Sequence, residues 1–288
     1  MRSRHNSKGP AALRLLIRIL QRIAIFAIGA VSVWLIAFVV FDWADKRLPV
    51  ALALGATYAI GAYVILPYAV RMGLKFSQLK SVPSFTVAAD GLPADPVNLG
   101  LVGTFADLRA AFAAIGWAEA DKLDLRSSWR MVQSFVLSRP YPTAPFSTLF
   151  LFGRGQDIGF QKAIGDSPRK RHHVRFWGKS LEHLPAGPDT TSFWLNTDRP
   201  AGDECVLWVG AATKDTGLGL TRMTFQVTHA TDSDTIAERN FVVDTLKASG
   251  AIGDVTLAQA GAPLGHRVNH YVTDGEVAVA ELVDKGRI

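Results

Sequence analysis

The stretch FGRGQDIGFQKAIGDSPRKRHHVRFW, residues 152–177, decides the fold. It reads as two strands, near Gln156–Ala163 and His172–Trp177, either side of a turn at Gly165-Asp166-Ser167-Pro168. Turn chemistry between aromatic-bearing runs is the pattern of an antiparallel hairpin. Alternation along the second strand puts His172, Val174 and Phe176 on one face. His173, Arg175 and Trp177 take the other. The two histidines therefore point apart and cannot ligate one metal unless the strand is bulged. Arg154, Gln156, Asp157, Gln161, Arg169, Lys170 and Arg171 lie in the same stretch. A core strand does not need that much polar chemistry.

Working outward, the C-terminal side continues as strands near Thr191–Asn196, Cys205–Thr213 and Leu220–Ala230. Asp232 or Ser233 starts a helix that Gly250 ends, and Gly265–Val283 reads as a hairpin turning at Thr273-Asp274-Gly275. On the N-terminal side, Asn98–Gly103 is a strand, and Thr104 caps a helix over Phe105–Ile115. Ser127 or Ser128 caps a second helix through Leu137. The proline-rich run Arg139–Pro145 then excludes regular structure and leads into a strand at Thr148–Gly153. Residues 97–288 thus form one α+β domain with a mainly antiparallel sheet. Residues 71–96, with Pro83, Gly91, Pro93 and Pro96, read as a linker.

The first part of the chain has a different character. Residues 1–22 are a basic tail in which Arg14, Arg18 and Arg22 recur at four-residue spacing, one stripe of a helix. Ile23–Phe41 is an uncharged apolar run which, at about 1.5 Å per residue, spans roughly 28 Å, close to a bilayer core. After the turn Asp42–Arg47 comes a second uncharged run, Pro49–Val70, which Pro67 is expected to kink. The two make a transmembrane helical hairpin. The first run is too long for a signal peptide and lacks a small-residue cleavage site, so it reads as an uncleaved anchor. Arg2, Arg4 and Lys8 precede the first span, Arg71, Lys75 and Lys80 follow the second, and the turn offsets Lys46 and Arg47 with Asp42 and Asp45. The positive-inside rule then puts both termini of this multi-pass chain in the cytoplasm.

Composition agrees. Of 288 residues 49% are apolar, and the formal charge is +6. Cys205 is the sole cysteine, which excludes an internal disulfide and a cysteine-based zinc site. A membrane-facing charge accounts for the basicity, and no nucleic-acid module is recognisable, so no nucleic-acid partner is expected.

Two clusters carry the candidate chemistry. In the first, His172 or His173 is a general acid/base or ligand with Asp157 or His229 nearby, and Arg154, Gln156, Arg169, Lys170, Arg171 and Arg175 are candidate anion ligands. In the second, Thr228-His229 at a strand end precedes Asp232, Asp234 and Glu238. Histidine with carboxylates suits a divalent metal, so His229 and Asp232 are candidate metal ligands. Against this, Asp232 suits a helix cap, and Asp234 and Glu238 suit an early helical turn. The run Gly210-Ala211-Ala212 admits close packing or a ligand, and Asp215 beyond it is a candidate acid.

The ordered motifs RPYPTAPFSTLFLFGRGQDIGFQ, GDSPRKRHHVRFW, LWVGAATKD and Thr228-His229 followed by Asp232, Asp234, Glu238 and Arg239 resemble the LssY C-terminal domain family. Those are bacterial membrane-linked proteins named for an association with type I secretion. The resemblance runs from about Asn98 to the C-terminal region and implies one membrane-linked domain without an assigned reaction. Relatives often join it to a phosphatase-like or DedA-like multi-span domain, whereas here a two-helix hairpin precedes it. Arg139-Pro140 is present but no Ser-Gly-His follows, so the membrane-phosphatase signature is lacking. The expected function is a membrane-anchored, cytoplasmic-facing accessory or binding module. It engages an anionic phosphate or lipid headgroup, or a partner membrane protein. The rival is a hydrolase of phosphorylated or lipid substrates.

Overall fold

The computed structural model describes residues 11–77, 82–137, 139–165, 170–181, 199–220, 225, 227–259 and 271–283. The chain divides into two units, Met1–Leu79 and Lys80–Ile288.

The first unit is helical. Helix α1 (Ala11–Trp34) runs through a π-helical segment (Leu35–Val40) into α2 (Phe41–Asp45). Helix α3 (Val50–Ile60) runs through a second π segment (Gly61–Ile65) into α4 (Leu66–Ser77). Both stretches are long and apolar enough to cross a membrane. The helices extend beyond both apolar runs, and Arg14, Arg18 and Arg22 lie within α1. Pro67 sits inside α4, immediately after the π segment. A proline there removes the bond to Tyr63, and the widened turn absorbs that loss.

The second unit is a mixed α+β domain built on two sheets. Its main sheet has the order β11 (Thr256–Gln259), β12 (Glu276–Glu281), β3 (Leu99–Gly103), β9 (Val206–Leu220), β8 (Arg171–Ser180), β7 (Ile158–Ala163), β4 (Ala118–Glu119). Strand β10 (Val227–Thr231) pairs with the far end of β9. All these pairings are antiparallel except β12 with β3. A smaller sheet has the order β2 (Pro93–Pro96), β1 (Phe85–Val87), β5 (Phe150–Leu151), β6 (Arg154–Gly155).

The expected hairpin is present as β7–β8, and its register sets Gln161 against His173. One face of the main sheet is apolar. Phe160, Val174, Phe176, Leu101 and Ala212 pack there against Leu108 and Phe112 of helix α5 (Phe105–Ala114). Val242 and Leu246 of helix α7 (Thr235–Ala248) complete that cluster. Phe112 stacks on Phe160 at 4.5 Å and meets Phe176 edge-on at 5.5 Å. Gly210 belongs to this packing: a Cβ there would lie 2.5 Å from the Phe176 ring. The small residues of β9 therefore serve sheet packing. The opposite face is mixed, with Trp177, Val209 and Ala211 packed against Val97, Leu149 and Leu151.

Several local expectations change. The segment read as a linker contains β1 and β2, strands too short for periodicity to reveal. Helix α6 (Leu125–Val136) is capped by Asp124, not Ser127 or Ser128; Ser127 instead completes a reciprocal capping box. Helix α7 takes Asp234 as its cap rather than Asp232 or Ser233. Strand β9 continues to Leu220, through the gap expected after Thr213. The C-terminal strand β12 pairs with β11 and β3, and most of the preceding arm expected from Gly265 lies outside the described residues. The strand expected at residues 191–196 lies outside the described residues.

Candidate functional site

The mixed face of β8 carries Arg171, His173 and Arg175 in alternation, all buried. The β8–β9 register sets Asp215 opposite Arg171 and Thr213 opposite His173, while Ala211 leaves room opposite Arg175. Two more groups arrive from distant sequence. Asp95 of β2 and Tyr271 both reach this layer.

The result is a buried, charge-balanced network. Arg171 Nε donates to Asp215 Oδ2 at 2.8 Å, and its Nη1 donates to Gln161 Oε1 at 2.5 Å. Arg175 Nη1 donates to Asp95 Oδ2 at 2.5 Å and lies 2.6 Å from His173 Nε2. A guanidinium only donates, so that ring nitrogen accepts and the ring proton falls on Nδ1. Nδ1 lies 3.3 Å from Asp215 Oδ1. Thr213 Oγ1 is 2.8 Å from Nε2, and Tyr271 donates to Asp95 Oδ1 at 2.9 Å. His173 therefore bridges two acid–guanidinium pairs.

The proline-rich run positions the lid of this layer. Ala144 O accepts from both Gln161 and Arg171. The Phe146 ring lies 4.7 Å from the Arg171 guanidinium and 4.9 Å from that of Arg175. Such stacking stabilises desolvated guanidinium groups. Gly159 makes room for it, since a Cβ there would meet the Phe146 ring at 2.3 Å.

Burial alone would raise the Asp95 carboxyl, but Arg175, with Tyr271, outweighs it and holds Asp95 below its ordinary value. Burial, reinforced by Asp95, pushes the Tyr271 hydroxyl well up. Burial lowers the Arg171 guanidinium, and Asp215 opposes that shift.

The remaining candidates are placed separately. Arg154 donates to Asp157 Oδ2 at 2.8 Å, and the same oxygen accepts the Gly178 N–H at 2.8 Å. Arg154 also donates to the Gly178 carbonyl, while Trp177 Nε1 donates to Arg154 O at 3.3 Å. This pair ties β6 to the end of β8. Burial raises the Asp157 carboxyl, against the pull of Arg154. Gln156 Oε1 accepts from Leu149 N–H at 3.1 Å and braces the β5–β6 turn. His172 is on the opposite sheet face, with Nδ1 2.9 and 3.1 Å from the two Glu238 oxygens and its ring stacked on Phe241 at 4.3 Å. His172 and His173 thus serve separate environments, as alternation requires.

For the second cluster, the His229 backbone lies in β10 opposite Leu218, and its side chain is outside the described set. Asp232 is half-buried, accepts from Asp234 N–H at 3.1 Å, and lies 3.7 Å from Lys214 Nζ. Among the described residues no three histidine, cysteine or acidic side chains converge in a metal-holding group.

A cleft of about 280 Å³ opens beside the network, lined by Ile164, Lys170, Lys214, Asp215 and Thr216. The basic run therefore splits. Lys170 faces the cleft, Arg171 turns inward to Asp215, and Arg169 is outside the described residues. Asp215 alone belongs to both cleft and network. The family described as the LssY C-terminus matches residues 79–277. The chain belongs to that family. The LssY C-terminus match takes in β1 and β2, so the later part of the expected linker, with Asp95, is part of the domain, whereas its first residues lie in α4. Neither a curated protein nor a solved structure matches the chain.

Sequence reasoning passed over Asp95, Tyr271 and Phe146. The available signal was chemical: two arginines on one strand face, beside a buried histidine, require acids from elsewhere.

Proposed function

We propose that this LssY C-terminus protein is a membrane-anchored accessory module that binds an anionic group in the Lys170–Lys214 cleft. The group is a phosphate or a lipid headgroup. The observation that carries the reading is the division of the basic run. Arg171 neutralises Asp215 from behind, so the two lysine ammoniums are left as the net charge of the cleft. Lys170 makes no ion pair among the described residues, and the Lys214–Asp232 pair is long at 3.7 Å and open to solvent. Lysine acts here as a point charge toward a phosphate-like group.

The distribution of basic residues about the two apolar helices supports a bacterial inner-membrane location with both termini cytoplasmic. Arg14, Arg18 and Arg22 precede the first apolar run and Arg71 and Lys75 follow the second, while Lys46 in the connecting turn is paired with Asp42 at 2.6 Å. Membrane lipids, or a neighbouring membrane protein presenting an anionic group, are the partner class.

The test is calorimetric titration of inorganic phosphate, and separately of a soluble short-chain phosphatidic acid, into full-length protein in zwitterionic nanodiscs. Replacing both Lys170 and Lys214 by alanine is expected to weaken binding at least about tenfold, which is about 1.4 kcal/mol. Equal affinity in the variant overturns the reading.

One observation favours the hydrolase as second reading. His173 Nδ1 faces Asp215, and Asp215 reaches the cleft. Turnover of a phosphate ester that Asp215→Asn abolishes, with phosphate binding retained, would establish it.

A further inference from the structure

Helix α6 is amphipathic in the wrong sense for a helix that only packs on its own domain. Among its described side chains the buried ones are Ser127 and Ser134, with Met131 half-buried beside them, and both serines spend their hydroxyls on nearby backbone: Ser127 donates to Lys122 O at 2.7 Å, and Ser134 donates to Arg139 O. Its outward residues are Leu125, Trp129, Val132 and Val136, which are 92%, 63%, 50% and 76% exposed. At 3.6 residues per turn these four fall within about 60° of arc, opposite the two serines. Leu123 and Leu137, just beyond the two ends of the helix, are also at least half exposed. Large apolar residues scattered singly on a surface need no explanation, but a continuous stripe does.

We propose that α6 is an interfacial helix that lays this stripe into the headgroup boundary of an anionic bilayer. The flanking charge supplies the choice of occupant. Arg126 and Arg130 sit together on one flank of the stripe, and Arg139 follows the helix. Of the nearby acids Asp124 caps the helix, and Asp121 accepts from Tyr141 at 2.6 Å and from Thr143 at 3.1 Å and forms only a long, solvent-exposed pair with Arg130 at 3.6 Å, while Arg126 has no ion pair among the described residues. An apolar stripe containing tryptophan, bordered by arginines, is the pattern of a helix lying in the membrane plane. Each basic residue near an anionic surface adds to that attraction. A protein groove would match the stripe but gives no account of the basic border. The inference rests on the reading of the two apolar helices as a membrane anchor, and it adds a second, peripheral contact made by the LssY C-terminus domain itself.

The test uses full-length protein carrying Cys205→Ser, with Val132→Cys labelled by bimane, reconstituted in bilayers containing brominated acyl chains. A second protein carries the label at Phe38→Cys, in the first apolar run. The expected result is quenching of the position-132 label by shallow bromines and protection from aqueous iodide. Quenching should be at least about twofold stronger with phosphatidylglycerol than with zwitterionic lipid alone. Leu125→Glu with Val136→Glu should abolish it while leaving the melting temperature unchanged, because both side chains are solvent-facing. A label at 132 open to iodide overturns the proposal. So does one shielded from both quenchers, which would mark the stripe as a protein contact. If the label at 38 is quenched and that at 132 is not, only this inference fails. If neither is quenched, the anchor reading fails first.

Discussion

Arg175 shows how little freedom a buried cation has. Its guanidinium is held by Asp95 and His173 and covered by Phe146, and none of these groups is near it in sequence except His173. Removing one partner leaves the other charge buried and unpaired, which costs about 3–5 kcal/mol. Asp95→Ala should therefore destabilise the domain by about that amount in denaturant unfolding. The joint replacement Asp95→Leu with Arg175→Met should recover much of it. Equal losses in the single and double variants would refute the pairing. The same carboxyl sets a pH dependence. Asp95 is held below its ordinary value, so the unfolded chain binds its proton more readily than the folded one. Its contribution is complete above about pH 4 and disappears as pH falls through the lower folded value. Asp157 has the opposite sign: its carboxyl is raised, so the folded state holds its proton more readily. Its contribution is present below its ordinary value and is lost as pH rises toward the folded one. Unfolding midpoints between about pH 2 and 5 should fall more steeply toward acid in the native chain than in Asp95→Asn. Identical slopes would deny Asp95 this role.

At the level of elements, the β8–β9 ladder does the organising. Ten consecutive pairs from Arg171–Asp215 to Ser180–Val206 fix which side chains meet. A one-residue slip would carry every charged group to the apolar face. The packing that pins this register is narrow at Gly210, beneath the Phe176 ring. Gly210→Ala should overpack that contact and cost about 1–3 kcal/mol in chemical denaturation. No loss would show that the ring has room to move. Helix α5 is set more locally. Thr104 and Asp107 form a reciprocal capping box, with Asp107 accepting the Thr104 N–H at 2.9 Å. Thr104→Ala should therefore cost about 1 kcal/mol, checked in the same way. That cap was legible in the sequence because a capping box lies within four residues. The cap of α6 was misplaced because Asp124, Ser127 and Ser128 all offer a suitable oxygen there, and only the position where the chain leaves the helix selects one.

For the whole molecule, two apolar helices precede a domain with a charged interior. The orientation proposed for them has a direct check. A green fluorescent reporter fused after Ile288 should fluoresce, and an alkaline phosphatase placed there should stay inactive, since it folds only outside the cytoplasm. The reverse pattern would invert the topology and put the Lys170–Lys214 cleft on the other side. What the sequence by itself determined here is what short-range physics controls. Uncharged runs as long as a bilayer is thick announce helices, and period-two alternation separates His172 from His173. Pro140, Pro142 and Pro145 exclude regular structure. The fate of the cations was decided only in three dimensions. Lys170 and Arg171 are neighbours in a uniformly basic run, yet one faces a cleft and the other is buried. Asp95 looked like part of a linker, and 80 residues separate it from the arginine it neutralises. Whether a charge is solvated or paired depends on which strand lies opposite and what covers it. Sheet register and layer packing set both, and neither leaves a local pattern in the chain.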